Sequence, residues 1–270
     1  KTMDLDVCRP SADYEFSLGT NCPGNCEYCY LQTTQGKRPY IRVYVNLEEI
    51  FESILKHIEK HKPNITTFEV ASTSDPVALE HLTGSLKKTI EFFGTLAYGR
   101  LRVVTKFANV DSLLDIRHNH HTRFRFSINS RYVIHHFEHT TSSLEERLEA
   151  AKKISEANYP TGFIVAPIMV YEGWKEEYRE LFDGLKEKVA PSAQEDLSFE
   201  LIQHRYTNSA RKLILQRFPH TRLDMDDAKR VKKWGPYGRY KYVYPKEEAQ
   251  EIQVYLTQLI MDRFPKAKIE

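Results

Sequence analysis

Three cysteines in NCPGNCEYCYLQ (Asn21 to Gln32) carry the densest chemistry in the chain: Cys22, Cys26 and Cys29. Their C-x3-C-x2-C spacing lets three thiolates converge on one soft metal centre, because so short a loop closes at little entropic cost. Pro23 and Gly24 favour the turn. The count is odd. A structural zinc site closes with four protein ligands, and disulfides take cysteines in pairs. A [4Fe–4S] cluster normally takes four thiolates. With three, one iron stays open to an outside ligand, and an open iron does chemistry instead of only carrying electrons. Two other readings stand beside this one. Three thiols and one of the eleven histidines could hold zinc, or the thiols are buried and inert. Cys8, the fourth cysteine, lies outside the spacing and is expected to be only packed.

A loop of this kind needs a scaffold. Six stretches read as strands: EFSLGT (15–20), TTFEVAST (66–73), LRVVTKF (101–107), RFRFSIN (123–129), TGFIVAPIMV (161–170) and DLSFELIQHRY (196–206). Helical periodicity falls between them, over 47–61 behind a candidate N-cap Asn46, over 86–96, over 142–158 behind the capping-box-like SSLEE, and over 175–189. A short helix is expected near 110–117. Strands alternating with helices predict an α/β protein with a mainly parallel sheet. Six units are fewer than the eight of a closed barrel, so an open doubly wound sheet and a partial (β/α)6 TIM-type barrel both fit. In either, a site belongs at the C-terminal ends of the strands. The cysteines follow the first strand directly.

The chain has 270 residues, is 41% hydrophobic and carries a net charge of +2, enough for one large domain. No apolar run approaches the ~20 residues that span a bilayer. The opening KTMDLDVCRPSADYEF lacks the apolar core of a signal peptide. It does not begin with Met, and a longer parent protein is expected. Few, clustered cysteines fit a reducing, cytoplasmic setting. The charge is uneven: residues 204–246 hold twelve Lys/Arg against three Asp/Glu. Within them VKKWGPYGRYKYVYP reads as a β-hairpin of cations and aromatics, the pattern of a nucleic-acid contact or else of a solvated face. Residues 1–206 are therefore read as the barrel. Residues 207–270 are read as a basic C-terminal segment, with hairpin and closing helix, in the same globular unit.

C-x3-C-x2-C followed by an aromatic, on the loop after the first strand of a (β/α) barrel, resembles the radical SAM enzymes. CRPSADYEFSLGTNCPGNCEYCYLQT and the later ASTSDP are similar to the spore photoproduct lyase family, and the similarity runs through the whole chain. The resemblance implies the partial barrel and a C–C lyase that repairs 5-thyminyl-5,6-dihydrothymine in the DNA of a spore or germinating cell. It implies a [4Fe–4S] cluster on Cys22, Cys26 and Cys29, with S-adenosylmethionine on the open iron and an unidentified electron donor. A 5′-deoxyadenosyl radical would take a hydrogen from the lesion, and a hydrogen atom must later be returned.

The resemblance also assigns residues. Tyr28 is placed near the S-adenosylmethionine adenine, and Tyr30, with Tyr28, in a hydrogen-atom relay; packing is the alternative for each. Ser74 and Asp75 suit the amino group or ribose, or else cap the following helix. Lys106 and Ser127 suit the carboxylate; a buried Lys needs such an anion, whereas a snorkelling one does not. Ser72 stands where the family carries the cysteine that returns the hydrogen atom. An alcohol O–H is too strong a bond for that task. Ser72 therefore reads as a Cys→Ser replacement that impairs termination. For the hairpin, Lys232, Lys233, Arg239 and Lys241 are expected on phosphates, and Trp234 or Tyr237 as wedges beside an extruded lesion.

Overall fold

A computed structural model describes residues 5–8, 11–31, 40–70, 72–190, 193–235 and 239–270. The strands in chain order are β1 (Asp6–Val7), β2 (Tyr14–Phe16), β3 (Gly19–Thr20), β4 (Asn25–Cys26), β5 (Arg42–Val43), β6 (Thr66–Val70), β7 (Gly99–Thr105) and β8 (Thr122–Ile128). They continue with β9 (Glu138–His139), β10 (Thr161–Ile168), β11 (Ser198–Gln203), β12 (Val231–Gly235), β13 (Arg239–Val243) and β14 (Lys268–Ile269). The helices are α1 (Leu47–His61), α2 (Pro76–Thr83), α3 (Ser85–Gly94), α4 (Arg131–Phe137), α5 (Leu144–Glu156), α6 (Trp174–Lys188), α7 (Asn208–Arg217) and α8 (Lys246–Arg263).

Eight strands form one sheet in the order β1-β2-β6-β7-β8-β10-β11-β14, parallel from β2 onward, with β1 antiparallel at the edge. Alternation sorts its two faces. Phe68, Val70, Leu101, Val103, Phe124, Phe126, Phe163, Val165 and Phe199 are buried in the core shared with the helices. Glu15, Glu69, Arg102, Arg125, Ser127 and Glu200 occupy the other registers and face the concave side. The sheet curls strongly. The Ser11 hydroxyl, before β2, donates to the Glu200 carboxylate on β11 at 3.0 Å. Arg125 on β8 reaches Glu69 on β6 at 2.9 Å and also pairs with Glu200. The result is the expected partial barrel, open on one side, and its floor is polar instead of packed with branched aliphatics.

The six expected strands lie where alternation put them, and so do α1, α5, α6 and the hairpin β12–β13. Ser143 and Glu146 complete a capping box on α5. Three details differ. The helix expected near 110–117 is a single tight turn at Asp111–Leu113, where only Leu113 is buried. Asn46 sits at the N-cap of α1 but gives its side chain to Glu49. EFSLGT divides into β2 and β3, and β3 leaves the sheet to pair with β5. A second, smaller core joins Val133, Phe137 and Met169 of the barrel to Tyr206, Ile214, Leu223, Met225 and Tyr242 of the C-terminal segment. Among the described residues no helix is long and apolar enough to cross a membrane.

Candidate active site

The cysteine loop is pinned at both ends. β3 pairs with β5, and β4 pairs with β9 so that Cys26 lies opposite Glu138 and Asn25 opposite His139. The Gly24 N–H donates to Cys22 Sγ at 3.3 Å, and a Cβ there would press on that sulfur and on Thr141. Cys26 is buried; Cys22 and Cys29 are half-buried. Burial raises all three thiols. Asp75 adds to the effect at Cys22, and Glu138 helps push Cys26 up to about 12. Ligation must therefore displace protons.

The three thiols share one cavity of about 450 Å³ with Tyr28, Tyr30, Ser72, Ser74, Asp75, Lys106 and Ser127. The barrel thus brings together every residue assigned to the cluster, to S-adenosylmethionine and to hydrogen transfer. Their individual contacts refine the assignments. Asp75 is buried as the N-cap of α2, accepting from the Val77 and Ala78 N–H groups and the Thr105 hydroxyl on one oxygen and from the Lys106 N–H on the other. Both oxygens are engaged by protein, as the capping alternative requires. Burial raises its carboxyl, and these donors offset part of that rise. Ser74 is buried against the same cavity.

Lys106 Nζ donates to the Ser127 hydroxyl at 2.6 Å and to the Ala166 carbonyl at 3.3 Å, and it pairs with Glu138 at 3.2 Å. The anion a buried Lys requires is therefore already present in the protein. Glu138 is fully buried, with Arg147 Nη2 2.6 Å from its other oxygen and the Tyr28 hydroxyl donating to it. Burial alone would raise this carboxyl; Lys106, Arg147 and the Tyr28 hydrogen bond outweigh burial and hold it below the usual carboxylate value. Glu138 and Arg147 were missed in the sequence, where only the cost of burying Lys106 hinted at a partner. Tyr28 also packs against the second core, and its ring lies 5.7 Å from Lys106 Nζ. The Tyr30 hydroxyl donates to the Ser72 carbonyl. The Ser72 hydroxyl lies 3.4 Å from that of Ser17. His204 and Arg205, beyond β11, complete the wall; burial and Arg230 push the His204 imidazole down to about 3 and keep it neutral.

The hairpin residues stand outside this cavity. Lys232, Lys233 and Trp234 are exposed, with Trp234 edge-on to Tyr240 at 4.8 Å. Lys241 is half-buried, and burial and then the charge of Arg205 lower its ammonium. Tyr237 lies outside the described residues, and so does the side chain of Arg239. Among the described residues no three His, Cys, Asp or Glu side chains stand in the close array that a single ion needs. A four-iron cluster instead takes one thiolate per iron, and the donors here are three thiols beside hydroxyls and a cation.

A curled partial barrel with a three-thiol loop after its first parallel strand defines a radical SAM enzyme. The family model described as "SPL: Spore photoproduct lyase" matches residues 1–270. The chain belongs to the spore photoproduct lyase family. It is 53% identical over 270 residues to a spore photoproduct lyase of Geobacillus sp. (strain Y412MC61), covering 100% of this chain and 79% of that one. It is 50% identical to the enzyme of Bacillus subtilis (strain 168), with the same coverage. A solved spore photoproduct lyase, a double mutant with bound AdoMet and dinucleoside spore photoproduct, superposes with a TM-score of 0.96 at 56% identity over 98% of this chain and 78% of that one. The family uses a [4Fe–4S] cluster and AdoMet (S-adenosylmethionine), and zinc is set aside.

Proposed function

We propose that the protein reverses the spore photoproduct in DNA, restoring two thymines, in the cytoplasm of a spore or germinating cell. The observation that carries this reading is the shared cavity, where three thiols meet the S-adenosylmethionine and hydrogen-transfer candidates at the C-terminal ends of the strands. Cys22, Cys26 and Cys29 would hold the cluster and leave one iron to S-adenosylmethionine; when bound, cluster and cofactor would supply one-electron cleavage chemistry able to abstract a hydrogen atom. The chain's own residues bind and orient. Ser74 and Ser127 offer hydroxyls to the cofactor, while Asp75 holds the start of α2 and the end of β7 in register behind them. Glu138 holds the Tyr28 hydroxyl, and Lys106, neutralised by Glu138, holds the Ser127 side chain.

The hairpin residues Lys232, Lys233, Arg239 and Lys241 would grip phosphates beside the cavity mouth, with Trp234 or Tyr237 filling the gap left by an extruded lesion. Ser72 supplies no thiol, so termination at that position would be impaired. The test is a duplex oligonucleotide holding one spore photoproduct, incubated anaerobically with reduced protein and S-adenosylmethionine. Loss of the lesion matched by two thymines is expected. An intact lesion alongside continued cofactor cleavage would assign the protein to a different radical SAM substrate.

A further inference from the structure

Cluster chemistry begins with one electron from an outside carrier, and this inference rests on the repair reading above, in which lesion DNA fills the active cavity. The carrier then needs another approach to the cluster. The cysteine loop has a second side that offers one. Its thiols line the cavity, whereas Pro23, Asn25, His139 and Thr140 do not. Pro23, Asn25 and Thr140 are exposed, and the His139 side chain is 40% exposed. Hydrogen bonds join them in one surface. Asn25 lies opposite His139 in the β4–β9 ladder, its N–H donates to the Thr140 hydroxyl at 3.1 Å, and that hydroxyl donates to the Pro23 carbonyl at 2.8 Å. Cys26 is the next residue of β4 and is buried, so a cluster ligand lies one residue from solvent here.

The same surface runs onto the C-terminal segment. Glu27, buried in the loop beside Cys26, accepts from the Thr221 hydroxyl on one oxygen and lies 2.8 Å from His139 Nε2 on the other. The rings of Phe218 and His139 are 6.1 Å apart, and Arg222 Nη1 lies 3.0 Å from His136 Nε2. The stretch RFPHTR (217–222) is thereby seated against HHFEHT (135–140). Together they hold two arginines and four histidines, and their single acid, Glu138, is buried between Lys106 and Arg147. Arg217, Arg222, His135 and His220 are exposed. The surface is therefore cationic, and neither stretch exposes a carboxylate. Exposed Pro23 and Pro219 and half-buried Phe218 add an apolar part among these cations and imidazoles, the make-up of a protein–protein contact. A site for DNA phosphates would be a run of Lys and Arg, which the hairpin already supplies.

We propose that this face docks a small acidic iron–sulfur carrier protein of the ferredoxin kind, which reduces the cluster from outside the cavity. One electron leaves the carrier's reduced centre and enters the cluster by way of the β4–β9 ladder. The carrier is oxidised by one electron, the cluster is reduced by one, and no proton or bond moves with it. Opposite charge on the two proteins steers a transient encounter and speeds association without a large buried area. The Glu27 hydrogen bonds hold the docking stretch and the cysteine loop in one register.

The test uses the reconstituted holoenzyme without S-adenosylmethionine, an acidic ferredoxin reduced beforehand as the sole reductant, and stopped-flow absorbance of the cluster. The variant is Arg217→Glu/Arg222→Glu. Its second-order rate of reduction should fall at least about tenfold below wild type at low salt, and the gap should narrow at high salt. Reduction by dithionite needs no docking and should stay within about twofold of wild type. His220→Glu, read in the same way, replaces the double variant if that one assembles no cluster. A saturating lesion duplex should leave ferredoxin-driven reduction of wild type unchanged. Equal ferredoxin rates in variant and wild type, or a wild type that ferredoxin does not reduce, overturn the proposal. So does a duplex that competes with ferredoxin, or a variant that loses duplex affinity instead, since either makes this face part of the DNA contact. A wild type that takes up electrons as expected but repairs no lesion overturns the repair reading and leaves the docking face standing.

Discussion

Replacing Glu138 with Gln removes one negative charge from a place with no solvent and two cations. The Glu138 side chain is 0% exposed, that of Arg147 is 0% exposed, and that of Lys106 is 19% exposed. The amide keeps the volume and can still accept from Tyr28, so packing changes little. The two cations, however, lose their counter-ion. Breaking a buried pair by removing one partner costs about 3–5 kcal/mol, because the remaining charge stays buried and uncompensated. Since each kcal/mol moves Tm by roughly 2–4 °C in a chain of this size class, the melting point should fall by about 10 °C. Urea unfolding of the reduced, metal-free chain, followed by circular dichroism, keeps cluster loss out of the comparison. The midpoint should drop at unchanged slope, and Lys106→Met added to Glu138→Gln should cost less than it does alone. The folded carboxyl lies below its ordinary value of 4.5. Its contribution is therefore complete above about pH 4.5 and is lost as pH falls through the lower folded value, so the variant should lose less stability than wild type on acidification. A cost under about 1 kcal/mol at pH 7 would show that Glu138 is not the ionised centre of this network.

Reversing two hairpin charges, Lys233→Glu with Arg239→Glu, should weaken lesion-duplex binding more than tenfold at low salt and flatten the salt dependence by about 0.9 per lost phosphate contact; binding that survives unchanged would make the hairpin a solvated face. Gly162→Ala should cost about 1–3 kcal/mol, because its Cβ would run into the Ser198 hydroxyl and lie 3.0 Å from the Ser198 carbonyl on the neighbouring strand. A thermal melt identical to wild type would contradict that close approach of β10 and β11. Cys26→Ala should prevent cluster assembly during anaerobic reconstitution, and iron and sulfide contents near four per chain would remove Cys26 from the ligand set.

The strands were legible because their buried face repeats every second residue, as in GRLRVVT of β7, and the long helices because theirs repeats near 3.6. The edge strands β1 and β14 are two residues each and have no period to read. Helix α7 buries only Ile214, so its pattern resembled a charged loop. At the site, the cysteine loop stood out by its spacing, whereas Ser74, Lys106 and Ser127 were assigned only by the family resemblance, and the fold places them on the wall of the same cavity. Asp75 could not be assigned from type alone, since capping and ligand binding use the same carboxylate; in the fold it caps α2 and accepts from four donors while lining the cavity. Glu138 and Arg147 lie in HHFEHTT and in an ordinary helical stretch, and only folding brings them beside Lys106.

The central claim is that this cavity takes a hydrogen atom from a thymine-dimer lesion and returns two thymines. A dinucleoside spore photoproduct deuterated in its dihydrothymine ring tests it in one experiment with the reconstituted, reduced protein and S-adenosylmethionine, read by mass spectrometry. The account predicts deuterium in 5′-deoxyadenosine together with repaired dinucleoside. Unlabelled 5′-deoxyadenosine beside an intact lesion would contradict it.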